Sequence, residues 1–158
     1  MHRSLLRSTE GNIRERKEER IIMNTQKTIT KTVTEDMLAV SVGSGTLQVL
    51  GTPVLAQLYE NAAMQLAAEY CDNEFTTVGC FLSLSHDAPT PLGMEIKVTA
   101  ILVKHEKRFF EFQLEASDET GIISKGSHTR VAVESKKFQH KADDKLNAAV
   151  NRHLEQYS

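Results

Sequence analysis

Three side chains stand out by type and position. Thr52, Glu60 and His86 supply a hydroxyl, a carboxylate and an imidazole, groups that carry out proton transfer and nucleophilic attack. Residues 53–70 run without a helix breaker, and at about 100° per residue Gln57, Asn61 and Gln65 form a narrow polar stripe. Leu55, Ala56, Leu58, Tyr59, Ala62, Ala63, Met64, Leu66 and Ala67 fill the remaining arc of roughly 240°. Glu60 falls inside that arc, between Ala67 and Met64 and close to Ala56, on the side expected to be buried. An unpaired carboxylate there costs several kcal/mol, so it needs a partner, a cavity or a dimer seam. A structural reading stands beside this one: Glu60 reaches solvent at the margin of the arc, or pairs with an internal arginine such as Arg130.

His86 closes an apolar strand just before Asp87-Ala88-Pro89-Thr90-Pro91, whose prolines cannot continue a central strand. A strand end beside an irregular loop suits a site residue, and it suits a half-exposed histidine equally well. Thr52 can likewise be a helix cap, and His128 and Arg130, on one face of the last strand, can belong to a structural network or to a site.

The elements that must position these groups follow from periodicity. Gln26 to Val33 is rich in threonine and β-branched residues and reads as a strand, with Thr34 capping a short turn. Ser41 to Leu50, with Gly43 and Gly45, reads as strand or irregular backbone. The long helix starts after Gly51, with Thr52 as N-cap and Pro53 at the first helical position. Four period-two segments follow: Phe75–His86 with Val78, Cys80, Leu82 and Leu84 on one face, Met94–Val103, Arg108–Ala116 and Ile122–Val133. Their short connections predict a four-stranded antiparallel meander. Lys136–Gln156 reads as a polar helix with a thin apolar stripe at Leu146, Val150 and Leu154. The expectation is an α+β layer, one helix on an antiparallel sheet.

A chain of 158 residues has room for about one domain. With 40% hydrophobic and 25% charged residues it can build a core, and a formal charge of −2 gives no net attraction to a phosphate backbone, so nucleic acid is not an expected partner. No apolar run spans a bilayer and no secretory leader is visible, so no membrane partner is expected and the protein reads as cytoplasmic. Cys71 and Cys80 read as buried free thiols, and the scattered histidines suggest no metal and no cofactor. Residues 1–22, with the charge run Arg14 to Arg20, read as a disordered extension or a solvated helix ahead of a natural start at Met23. The domain is expected over residues 23–140, with a C-terminal helix over 141–158.

Three stretches, VGSGTLQVLGTPVLAQLYENAA (Val42–Ala63), VGCFLSLSHDAPTPLG (Val78–Gly93) and GSHTRVAV (Gly126–Val133), resemble the fluoroacetyl-CoA thioesterase-like family of hotdog-fold proteins. The resemblance runs from about Thr34 to Phe138. It rests on spacing as well as sequence: eight positions from Thr52 to Glu60, 26 from Glu60 to His86, and 44 from His86 to Arg130. It implies a hotdog fold, a long helix wrapped by an antiparallel sheet, assembled as a homodimer or tetramer with sites at the subunit interface. It also implies catalytic roles for Thr52, Glu60 and His86, a place for Gly79 near the thioester carbonyl, and a substrate-binding role for Arg130. Family members specialised for fluoroacetyl-CoA resemble one another in an aromatic-lined lid before the catalytic threonine, whereas Ser41–Leu50 here holds no Phe, Tyr or Trp.

The activity so implied is hydrolysis of an acyl-CoA to a carboxylate and free coenzyme A. His86 would act as general base toward water or the Thr52 hydroxyl. Glu60 would orient the histidine, act as base, or attack. Backbone N–H groups near Gly79 would hold the oxyanion. Two other activities on the same fold remain open: acyl-CoA binding without turnover, and hydration of an enoyl thioester.

Overall fold

The computed structural model describes residues 24–156. The expectations for residues 1–22 and for a start at Met23 lie outside them.

Strand β1 (Gln26–Thr32) leads through a 3-10 turn (Glu35–Met37, with Thr34 as its N-cap) into the short helix α1 (Ala39–Val42), the long helix α2 (Thr52–Ala68), and strands β2 (Phe75–His86), β3 (Glu95–Glu106), β4 (Phe109–Asp118) and β5 (Gly121–Glu134), ending in α3 (Ser135–Glu155). All neighbouring strands are antiparallel, and their order is β1-β3-β4-β5-β2.

The alternation that marks β4 as half-buried points Phe110, Phe112, Leu114 and Ala116 inward, beside Ile96, Val98 and Ala100 of β3. Against this face lies the buried side of α2, with Leu55, Leu58, Tyr59, Ala62, Ala63, Leu66 and Ala67. Burying each large apolar side chain contributes about 1.5–3 kcal/mol, and the alanines let helix and sheet approach closely.

The meander holds only for β3, β4 and β5. The expected four-stranded meander is corrected at β2, which pairs with β5 and occupies the sheet edge opposite β1. The cause is the β2–β3 connection, whose prolines take it out of strand geometry. It carries the chain past the helix start, where Leu50 N–H donates to the Thr90 carbonyl at 2.9 Å and Val49 bridges Pro91.

A bulge between Gly79 and Phe81 breaks the alternation expected for β2, so Leu82 and Leu84 pack against the core while Val78 and Cys80 fall outside that face and Cys80 is exposed. Cys71 is half-buried. Ser41–Leu50 is the end of α1 followed by irregular backbone. Helix α3 buries no side chain, and Leu146 and Val150 are exposed. Among the described residues no helix is long and apolar enough to cross a membrane.

Candidate active site

Two clusters of polar groups lie at opposite ends of β2. At its C-terminal end, the Thr52 hydroxyl sits 2.9 Å from His86 Nδ1. Thr52 was expected to cap α2, yet the N-cap is Gly51, and Thr52 is the first helical residue. Its hydroxyl is thereby released from capping and turned to the imidazole. The position is well braced: Gly51 N–H donates to the Met37 carbonyl at 2.9 Å, and Asp87 N–H to the Ile123 carbonyl at 2.8 Å. His86 is paired with Ser124, whose hydroxyl accepts a 2.7 Å bond from Tyr59. Burial pushes the Tyr59 phenol up to about 12, so it stays a donor throughout the working range.

His86 Nε2 is buried without a hydrogen-bond partner among the described residues. The pair opens on a cleft of about 270 Å³, lined by Ala39, Ser44, Val49, Leu50, Ala88 and Pro89. A hydroxyl on an imidazole nitrogen can lose its proton to that nitrogen when Nδ1 carries the lone pair, and α2 adds the partial positive charge of its N-terminus.

At the other end, Glu60 lies over Gly79. A Cβ placed on Gly79 would stand 2.5 Å from Glu60 Oε1 and 3.0 Å from His128 Cε1, so only glycine leaves the carboxylate where it is. Glu60 Oε1 is 4.0 Å from His128 Nε2. Behind it, Arg130 donates from Nε to Thr77 Oγ1 at 2.8 Å and from Nη2 to the Thr77 carbonyl at 2.7 Å. Arg130 Nη1 lies 3.2 Å from His128 Nε2, and His128 Nδ1 lies 2.6 Å from the Phe81 carbonyl. Since guanidinium only donates, Nε2 accepts and Nδ1 carries the ring proton. Burial holds the His128 pKa below the ordinary imidazole value, with Arg130 adding to the effect and the bond to Phe81 opposing it. Arg130 and His128 are both buried.

The expectation that Glu60 is buried is corrected for the single chain, where its side chain is 48% exposed. Met64, one turn on, is 39% exposed. A helical wheel counts apolar neighbours without telling which part of the arc the chain's own sheet covers. Here the sheet covers the Leu55–Tyr59 side and leaves the Glu60–Met64 row open.

Within one chain the two clusters stay apart. Eight residues of α2 separate Thr52 from Glu60, about 12 Å along the helix axis. Gly79 and His86 are about 20 Å apart along β2. The structure therefore joins Thr52 to His86, and Glu60 to Gly79, with Arg130 behind them. Thr77 was not among the expected site residues, and His128 was raised only beside Arg130, with a structural network as the equal alternative. For His128 the signal was its place two residues before Arg130 on one strand face, whereas nothing local marked Thr77.

The family model for fluoroacetyl-CoA-specific thioesterases matches residues 33–136. A fluoroacetyl-CoA thioesterase of Streptantibioticus cattleyicolor is 30% identical over 101 residues, 64% of this chain and 73% of that protein. A solved fluoroacetyl-CoA thioesterase superposes with a TM-score of 0.73 at 25% identity, covering 76% of this chain and 93% of the other. A hot-dog-like protein from Thermanaerovibrio acidaminovorans shares the fold, with a TM-score of 0.71, 17% identity and coverage of 78% and 92%.

Proposed function

Because the chain belongs to the fluoroacetyl-CoA-specific thioesterase family and is a hotdog-fold thioester hydrolase, we propose that it cleaves an acyl-CoA at a site completed by a second copy. Thr52 and His86 come from one protomer, and Glu60 and Gly79 from its partner. The observation that carries this reading is the separation of the two clusters along one strand at the sheet edge.

Strand β2 is a 12-residue sheet edge, with Phe75 and Phe81 46% and 55% exposed. A long exposed edge of this kind is a template for pairing with another strand. If two β2 strands pair antiparallel about a two-fold axis with Gly79 opposite His86, the bulge makes Cys80 an extra residue and the axis passes at Ser83. That register sets the Glu60–Gly79 cluster beside the partner's His86 at each of two equivalent places. It also covers the open row of α2.

The bonds described support the following chemistry. Sulfur donates weakly into a thioester carbonyl, which leaves the carbon open to an oxygen nucleophile. His86 Nδ1 takes the proton of Thr52 Oγ1 as that oxygen adds to the carbonyl carbon. Backbone N–H groups near Gly79 and the α2 N-terminus stabilise the oxyanion. The intermediate then expels coenzyme A, whose thiolate receives the proton from His86. Water, deprotonated by Glu60 or His86, adds to the acyl-threonine carbonyl; the C–Oγ1 bond breaks, Thr52 Oγ1 recovers the proton from that base, and the acyl group leaves as the carboxylate. The acyl group is not restricted to fluoroacetyl, because the cleft beside Thr52 has no aromatic lining.

Complementation tests the assembly. Thr52→Ala and Glu60→Ala homodimers should each be inactive, whereas a 1:1 mixture exchanged through subunit dissociation should regain about a quarter of wild-type thiol release, half the dimers each holding one intact site. No recovery despite demonstrated heterodimers places all three groups in one chain. Tight acyl-CoA binding without thiol release from the wild type would instead support a sensor, and a change in enoyl absorbance without thiol a hydratase.

A further inference from the structure

Resting on the hydrolase reading, we propose that His128 is a positioning residue whose neutral ring holds the Arg130 guanidinium beside Glu60. The ring sits at a crossing of contacts. Its Nδ1–H is spent on the Phe81 carbonyl at 2.6 Å, which fixes the tautomer and leaves Nε2 as an acceptor. That acceptor is 3.2 Å from Arg130 Nη1 and 4.0 Å from Glu60 Oε1, so the cation and the anion flank one nitrogen. The bulge after Gly79 explains why the Phe81 carbonyl is available to a side chain, since the ladder is interrupted there. Phe112 stacks beside the ring at 6.3 Å, closing the β4 side with an uncharged group.

The charged and titratable groups facing this pair are Glu60 from α2, Arg130 from β5 and Cys80 from β2. A leucine at 128 would fill the space and remove the acceptor. Arg130 would keep its two bonds to Thr77 and lose the third, to His128 Nε2. An acquired proton on Nε2 would have a similar effect: the ring would repel Arg130 and turn its N–H to Glu60. Burial works against that proton, so the ring remains an acceptor at neutral pH.

The test combines kinetics with a spectroscopic signature. His128→Leu should lower kcat at least about tenfold, with KM within about threefold, because an aligned charge is lost while the binding surface stays. His128→Gln, which keeps an acceptor, should restore most of the kcat. In a double-mutant cycle, Arg130→Met should add little to His128→Leu, because both remove the same contact. In the wild type, ¹⁵N imidazole shifts should report His128 protonated at Nδ1 and bare at Nε2 at pH 7. An active enzyme with the opposite tautomer, with a kcat insensitive to His128→Leu, or with Gln no better than Leu overturns the inference and leaves the hydrolase reading intact. Should His128→Leu not fold, the tautomer measurement on the wild type decides the matter alone. A wild type that releases no thiol from any acyl-CoA removes both.

Discussion

The two ends of β2 hold their polar groups in different ways. At the C-terminal end, Thr52 and His86 share a single 2.9 Å bond and open on a cleft. At the Gly79 end, Glu60 stands in front of an arginine and a histidine that are both buried and tied down by four hydrogen bonds, three to β2 backbone or side-chain atoms and one between them. The first region has the groups that exchange a proton, with Asp87 as the charged side chain lining the same cleft. The second has a fixed field around its carboxylate. This division suits a site completed by docking, because a buried guanidinium is held more firmly by its own sheet than by an interface that must form later.

Breaking the first region should have the largest effect. His86→Ala removes the proton acceptor of Thr52 and should cost about 10²- to 10⁴-fold in kcat/KM with little change in stability, because the residue ends a strand beside a cleft. A loss smaller than about threefold, shared by Thr52→Ala and Glu60→Ala, would remove these residues from the chemistry. Gly79→Ala attacks the second region without touching its charges. The added methyl takes the place of Glu60 Oε1, the far end of a half-exposed side chain that can swing away. Activity should fall about 10²-fold, with a modest drop in melting temperature because the methyl also stands 3.0 Å from Cε1 of the buried His128 ring. A fully active Gly79→Ala enzyme would show that the carboxylate need not lie where it does.

Tyr59→Phe sharpens the comparison from below. The phenol bond to Ser124 supports the strand position opposite His86, so its loss should cost about 1 kcal/mol of stability and disturb the Thr52–His86 end only. Denaturant unfolding measures the first effect, and a normal His128 tautomer in the same variant would establish the second.

Much of this was legible in the chain. Pro53 and the unbroken apolar run that follows announce α2, and the alternation of Phe110, Phe112 and Leu114 announces β4, because both signals are local and repeated. The neighbour of β2 was not legible, since period-two residues say which face is buried and nothing about which strand lies alongside. One inserted residue at Cys80 reversed the parity of β2, which no count of apolar positions anticipates. Thr52 looked like a cap because its type and place suit a cap, and only the 2.9 Å approach of His86 separates the two roles. Glu60 stood out in the sequence as a carboxylate within an apolar arc. Its exposure depends on which part of the helix the sheet reaches, and that is a property of packing between distant segments.

The smallest expected effect is the acid sensitivity that His128 gives to the fold. In the unfolded chain this imidazole titrates near 6.5, whereas in the fold burial lowers its pKa. Above pH 6.5 the ring is neutral in both states and stability has no slope from this residue. As the pH falls through 6.5 the unfolded state takes up the proton first, so stability declines until the folded ring is protonated as well, below which the slope ends. His128→Gln has no such group, and its stability should be flatter over the same interval even if its absolute value is lower. Urea midpoints between pH 7.5 and 5 for the two proteins measure the difference, and parallel curves would mean that His128 is no less easily protonated in the fold than in the free chain. Such a result would also weaken the contrast between the two ends of β2, because the Gly79 end would then have no buried neutral acceptor to set it apart.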